Sequence, residues 1–235
     1  MAQVPLFNDN RNEEIYDGDT YYGSENSLSA PLTDNAVMDF KQAGIYNNLL
    51  KNINFLEIGS GMGGVLRNLS YFGKGHYAGI EPVHKAAIYS NRFVANDYNC
   101  KIYHQSLEKS DFNSDSFDFV FSFHTIEHLD DPTILLEKSY KWLKKDGKML
   151  LGCPNFSGLI PRLKPLQWRA RNKYHKWLIG TKELFPLLED YGFKVEKYFT
   201  YGGFPAPRTF FQSMANKLFK IINMGDALFL VASKK

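Results

Sequence analysis

The sequence predicts an α/β fold: a parallel, doubly wound sheet with helices on both faces. Three observations carry this expectation. The stretch Phe55-Leu56-Glu57-Ile58 reads as a buried strand that runs into the glycine-rich turn Gly59-Ser60-Gly61-Met62-Gly63-Gly64 and then into a helix bearing Val65, Leu66 and Leu69. Phe117–Phe123 is a near-continuous apolar run, as expected of a parallel strand buried on both faces. Strand and helix patterns alternate along most of the chain, which is the signature of βαβ units.

The elements follow in order. Residues 1–35 are rich in Asn, Asp, Glu and Ser and read as an N-terminal leader. Tyr16, Tyr21, Tyr22 and Gly23 suggest that this leader folds over the mouth of the site as a lid. Asp34 is placed to cap a helix reaching about Leu50, with Ala36, Phe40, Ile45 and Leu49 as apolar contacts. Residues 36–235 form the main domain. Its first strand spans about 53–58, and a helix from Met62 to Tyr71 stops near Gly73 and Gly75. A second strand, His76–Ile80, ends at Glu81-Pro82, and a helix is expected over about 84–97. Ile102–His104 is a short third strand and Phe117–Phe123 the fourth. Asp131-Pro132 opens a helix with Leu136, Tyr140 and Leu143 on one face and Gly147 as its stop. Lys148–Cys153 is the fifth strand. An insert at about 156–180 breaks the alternation. Thr181 then caps a helix to about Tyr191, despite Pro186 inside it. Phe193–Thr200 is a sixth strand, Phe210–Ile222 a helix, and Ala227–Ser233 the last strand.

The bulk numbers exclude several classes. At 235 residues the chain is one α/β domain with trimmings, long enough for a sizeable core. A net charge of +3 is too small to imply nucleic acid as partner. Cys100 and Cys153 stand far apart without a C-x-x-C, so they read as reduced, packed thiols of a cytoplasmic protein. No signal peptide is evident at Met1-Ala2-Gln3-Val4-Pro5, and no apolar run is long enough to span a membrane.

The glycine turn is the centre of the functional reading. Glycines allow close backbone approach to a ligand, and the helix behind them offers free N–H groups. Gly59, Gly61 and Gly64 satisfy the dinucleotide fingerprint G-x-G-x-x-G. Gly59, Gly61 and Gly63, with Glu57 before them, equally satisfy E-x-G-x-G-x-G. Glu81, after the second strand, can accept hydrogen bonds from ribose hydroxyls in either case. Glu57 discriminates: a carboxylate beside a pyrophosphate is repelled, whereas one beside a sulfonium and an ammonium is tolerable or useful. Tyr140 and Lys144 make a Y-x-x-x-K, but on an ordinary amphipathic helix where they read as packing and solvent face.

Five ordered features then carry a resemblance. They are Glu57-Ile-Gly59-Ser-Gly61-Met-Gly63, Glu81, Phe117-Asp-Phe-Val120, Ile126-Glu-His-Leu-Asp-Asp-Pro132, and Leu143-Lys-Lys-Asp-Gly147-Lys. The ending Gly192-Phe193-Lys-Val195 and Ala227–Ser233 fits as well. In these features the chain resembles the class I S-adenosylmethionine-dependent methyltransferases, over nearly its whole length after residue 36. The resemblance implies a Rossmann-like seven-stranded sheet whose last strand lies antiparallel beside the fifth. It implies S-adenosylmethionine as methyl donor. Gly59, Gly61 and Gly63 would pass under its methionine and ribose, and Glu57 would sit near the ammonium. Glu81 would hold the ribose hydroxyls, Pro82 and Leu107 would flank the adenine, and Ser106 would stand where relatives often place an acid. Phe123 and His124 would line the pocket where the methyl group is presented.

An in-line methyl transfer to a hydroxyl needs alignment and removal of a proton, so histidines are candidates. His175 is the first choice for general base, with His128 and His124 beside it. His124, Glu127 and His128 form H-x-x-E-H, but the strand end here does not suit a zinc-protease helix. Small-RNA 2′-O-methyltransferases of the plant type bind metal with Glu-x-x-Glu-His and a later histidine, and His124, Glu127, His128 and His175 would be the counterparts. The favoured reading assigns no metal and treats the Glu-His pair as support for the loop or border of the acceptor pocket. Arg162, Lys164, Arg169, Arg171, Lys173 and Lys176, interleaved with Trp168 and Tyr174, read as a solvated basic insert, or as a cover for an anionic or glycosidic acceptor. Phe210, Phe211, Leu218, Phe219, Ile221 and Ile222 read as core packing, with a homodimer or membrane-surface face as the other option. The expected enzyme methylates a small molecule, on oxygen of a sugar, glycan or secondary metabolite. The alternatives are a metal-assisted RNA 2′-O-methyltransferase and a non-catalytic S-adenosylmethionine-binding module.

Overall fold

The computed structural model describes residues 35–94, 99–172, 174–203 and 209–235. The lid reading of the leader, with Tyr16, Tyr21 and Tyr22, and the cap at Asp34 lie outside the described residues, while Asn35 at the leader's end already opens a helix. Among the described residues there is one seven-stranded sheet, ordered β3-β2-β1-β4-β5-β7-β6. Its strands are β1 (Asn54–Ile58), β2 (His76–Glu81), β3 (Cys100–His104), β4 (Phe117–Phe123), β5 (Leu143–Pro154), β6 (Phe193–Tyr201) and β7 (Ala227–Lys234). The first five pair in parallel. β7 inserts antiparallel between β5 and β6, with Lys148 opposite Ser233 and Phe193 opposite Lys234. The strand order reverses at β1, whose neighbours are β2 and β4. In an open parallel sheet, the crevice for a ligand lies at such a switch point, outside the carboxyl ends of the strands.

Alternate residues of each central strand feed two cores, one on each face of the sheet. Leu56, Val120, Leu151, Leu228 and Leu230 meet Trp142 and Leu188 on one face. Phe55, Phe121, Leu150 and Phe229 meet Phe40, Leu66 and Leu69 on the other. Phe40 stands edge-on to Phe121 and Phe229, with ring centroids 4.8 and 6.0 Å away. That aromatic contact seats the first helix, α1 (Asn35–Ala43), on the sheet.

The remaining helices are α2 (Tyr46–Leu49), α3 (Gly64–Phe72), α4 (His84–Val94), α5 (Thr133–Trp142), α6 (Leu159–Leu163), α7 (Thr181–Asp190) and α8 (Phe210–Ile221). Three boundaries depart from the sequence reading. The helix expected to reach Leu50 breaks after Ala43. There the Gly44 N–H donates to the Lys41 carbonyl and the Ile45 N–H to the Phe40 carbonyl, a Schellman end built on a left-handed Gly44. The helix after the glycine turn begins at Gly64 rather than Met62. Leu143 already pairs with Phe117 as strand, so α5 ends at Trp142, before Gly147.

The α8 expectation is corrected. Thr209 and Gln212 cap the helix reciprocally, with the Gln212 N–H donating to Thr209 Oγ1 at 3.2 Å. Phe219 is its only buried residue, while Phe210, Phe211, Leu218, Ile221 and Ile222 are exposed. The helix lies against β6 with Phe219 buried and Lys220 Nζ donating to Gln42 Oε1, and the rest of its apolar face is not core.

Candidate active site

The residues assigned to the cofactor converge on the carboxyl edge of β1 to β4. The turn after β1 is stitched to the end of β2: the Gly59 and Ser60 N–H groups both donate to the Ile80 carbonyl, at 2.9 and 3.0 Å. Gly59, Gly61 and Gly63 all take positive φ, at 76°, 51° and 73°. A Cβ on Gly59 would stand 2.2 Å from Thr125 Oγ1, so this position tolerates only glycine. Glu81 ends β2 and is buried. Its two carboxylate oxygens accept the N–H of Gly61 at 2.7 Å and of Val83 at 2.9 Å. Burial raises its pKa and the two amide donors oppose that rise. Glu57 is buried on β1, directly across from Gly79 of β2. Pro82 is exposed just past β2. Ser106 and Leu107 follow β3 at the same edge, with Leu107 buried and the Ser106 carbonyl accepting from Ser110 Oγ. Phe123 ends β4, and its ring fills the space that a side chain on Gly152 would need.

These residues fit S-adenosylmethionine. The turn leaves the backbone open, and a carboxylate at the end of β2 suits a diol. Buried acids at Glu57 and Glu81 favour a cation over a pyrophosphate. When bound, the cofactor supplies an electrophilic methyl group.

Beyond Phe123 the three candidate histidines gather around Glu127. His124 has φ 52°, an uncommon conformation for a non-glycine residue, and its ring lies 4.4 Å from that of Phe123. Its Nδ1 meets Glu127 Oε1 at 3.0 Å. Glu127 lies in the 3₁₀ turn Ile126–His128 and is fully buried. Burial raises its pKa, but the hydrogen bond from His124 and the surrounding imidazoles more than offset this, and the net shift is downward. His128 Nδ1 donates to the Tyr174 carbonyl at 2.9 Å. The His128 and His175 rings lie 4.7 Å apart at 80°. The insert is clamped to this turn because the Lys176 and Trp177 N–H groups both donate to the Glu127 carbonyl. Burial lowers the pKa of His175, so its ring is neutral near pH 7.

A cleft of about 930 Å³ opens here, bounded by Phe123, His124, His175, α1, α8 and the insert. Sequence reasoning missed much of its wall. Asp226, at the start of β7, is buried and accepts from Trp168 Nε1 at 3.3 Å and Arg169 Nε at 3.2 Å. Trp168 is therefore a buried strut and no surface for stacking a sugar, which corrects that part of the insert reading. Asp39 of α1 accepts from the Tyr201 hydroxyl at 3.1 Å. Burial and the Asp39 carboxylate push the Tyr201 pKa far up, so the phenol remains a neutral donor. No local pattern marks Asp39, Tyr201 or Asp226, which are brought together from three distant elements.

A family model described as "Methyltransferase domain" matches residues 36–198. No curated protein sequence matches the chain. A solved SAM-dependent methyltransferase from Thermotoga maritima is similar at 22% identity and TM-score 0.61, covering 85% of this chain and 89% of that one. One from Mesorhizobium loti is similar at 15% identity and TM-score 0.60, covering 83% and 99%. A third, from Aquifex aeolicus, has 17% identity and TM-score 0.59, covering 87% and 95%. At these identities the likeness is one of fold, while the family match spans well over half the chain. The switch-point glycines, the acids that end and precede them and the antiparallel β7 agree with it: the chain belongs to the methyltransferase-domain family and is a class I S-adenosylmethionine-dependent methyltransferase.

Proposed function

We propose that the enzyme methylates a small molecule, on oxygen of a sugar, glycan or other secondary metabolite, and does so in the cytoplasm. The supporting observation is the cleft itself. It begins where the cofactor edge ends, at Phe123 and His124, and is walled by polar side chains such as Gln42, Asn172 and Asn216. Such walls suit a hydroxylated ligand better than an apolar one. Arg169, Lys217 and Lys220 also line it and would favour an acceptor carrying a carboxylate or phosphate. Among the described residues no helix is long and apolar enough to cross a membrane.

In this reading Glu57, Gly59, Gly61, Gly63 and Glu81 hold the donor, and Phe123 and His124 border the point of transfer. His175 and His128 act on the acceptor side. The test is labelled methyl transfer from S-adenosylmethionine into a host-cell extract, with the product identified by mass spectrometry. A labelled small hydroxylated product is the expected outcome. Label confined to RNA or protein would overturn the reading. His175→Ala is expected to retain cofactor affinity by calorimetry and to slow transfer, and full activity in that variant removes it from the acceptor side.

A further inference from the structure

Three side chains able to ligate a metal face one another beside the cleft. Each of Glu127, His128 and His175 offers one atom, and these atoms all lie within 4.8 Å of one another. Glu127 Oε1 is engaged by His124, but Oε2 is buried and has no hydrogen-bond partner among the described residues. His175 Nδ1 is likewise buried without one, while its ring hydrogen-bonds the Ala170 backbone and so does this through Nε2. His128 spends its Nδ1–H on the Tyr174 carbonyl, which makes Nε2 the lone-pair nitrogen of the neutral ring. Two buried polar atoms left this way are costly, and acceptors cannot satisfy one another.

We propose that Glu127, His128 and His175 form a binding site for one divalent transition-metal ion. Two imidazoles and one carboxylate select a borderline ion of the zinc or cobalt kind over magnesium, which prefers oxygen ligands. The outer contacts are those that metal-bound side chains require. The Tyr174 carbonyl fixes one ring, the Ala170 backbone fixes the other, and His124 orients the carboxylate. The scaffold is fixed as well, since two backbone hydrogen bonds from Lys176 and Trp177 to Glu127 hold the His175 segment against the turn that carries the other two ligands. Metal-bound donors stand roughly 3–3.5 Å apart when bonds are about 2.1 Å long, so the three side chains need close by only about an ångström. Three protein ligands leave coordination positions for something else. His175 lines the cleft, so an oxygen of the acceptor is the natural further ligand, a consequence that rests on the acceptor reading above.

The full-length chain, without a histidine tag and stripped by chelator, is titrated with Co²⁺ alone and followed by visible absorption. Zn²⁺ is then added as competitor, and Mg²⁺ in a parallel run. One equivalent of Co²⁺ bound, displaced by Zn²⁺ and not by Mg²⁺, is expected. His128→Asn and His175→Asn should each weaken Co²⁺ binding about tenfold or more, while binding S-adenosylmethionine as the wild type does. His84→Asn, in the exposed His84–His104 pair, should change nothing. Failure of the wild type to take up Co²⁺ or Zn²⁺ overturns the proposal. Undiminished binding in His175→Asn, which is partly exposed and keeps the fold if it still binds the cofactor, overturns it too. Metal uptake without a methylated acceptor leaves the metal site standing and removes only the acceptor reading.

Discussion

Glu81 Oε2 accepts the N–H of Gly61 at 2.7 Å, which fastens the end of β2 to the middle of the glycine turn after β1. One carboxylate therefore shapes the cradle and, in the proposed donor site, would also hold the ribose of the ligand. Glu81→Ala removes both functions. Affinity for S-adenosylmethionine is expected to fall by roughly 10- to 100-fold, the worth of about 1.5–3 kcal/mol for a hydrogen bond to a charged group. Unchanged calorimetric affinity would sink the ribose assignment.

Gly59→Ala tests the cradle from the other side. The new methyl group would collide with Thr125 Oγ1, which itself donates to the Ile58 carbonyl at 3.2 Å. The left-handed backbone at φ 76° adds its own cost for a residue with a Cβ. Together these predict a loss of roughly 2–3 kcal/mol, read as a melting temperature lower by about 5–10 °C, with weaker cofactor binding. A variant that melts with the wild type contradicts the geometry.

Asp226→Asn should loosen the insert without touching the donor site. The carboxylate holds Trp168 and Arg169 from a buried position at the head of β7. The variant should lose about 1–3 kcal/mol of stability and raise KM for the acceptor, with cofactor affinity unchanged. A fall in cofactor affinity with acceptor KM intact would reverse that assignment.

The exposed face of α8 predicts tolerance. Phe211 is 81% exposed, so Phe211→Ser should shift stability by no more than about 0.5 kcal/mol in a denaturant titration. A loss of several kcal/mol would mean that this face is covered.

The two thiols should differ in reactivity. Cys153 is buried, and burial together with the Glu127 charge pushes its pKa well up. Iodoacetamide at neutral pH is expected to label Cys100 in the native protein and Cys153 only after unfolding, as read by peptide mass spectrometry.

The sequence by itself determined the sheet and the place of the glycine turn and of Glu81 at its switch point. Phe117–Phe123 could only be a strand buried on two faces, and Glu57, Gly59, Gly61, Gly63 and Glu81 sit at strand ends whose spacing along the chain sets their spacing in space. Local signals of this kind survive in one dimension because each is made by a turn and its two flanking elements. Element ends were less legible. Gly44 breaks a helix through left-handed geometry that a hydrophobic pattern does not register, and Leu143 goes to the sheet because Phe117 is there to pair with it. The acceptor side was decided only by tertiary structure. His175 reaches Glu127 because backbone hydrogen bonds pin residues 176 and 177 to the Glu127 carbonyl of a remote turn, and Asp39 meets Tyr201 across 162 positions. Such contacts come from packing between remote elements, where no local pattern records which acid will face which histidine.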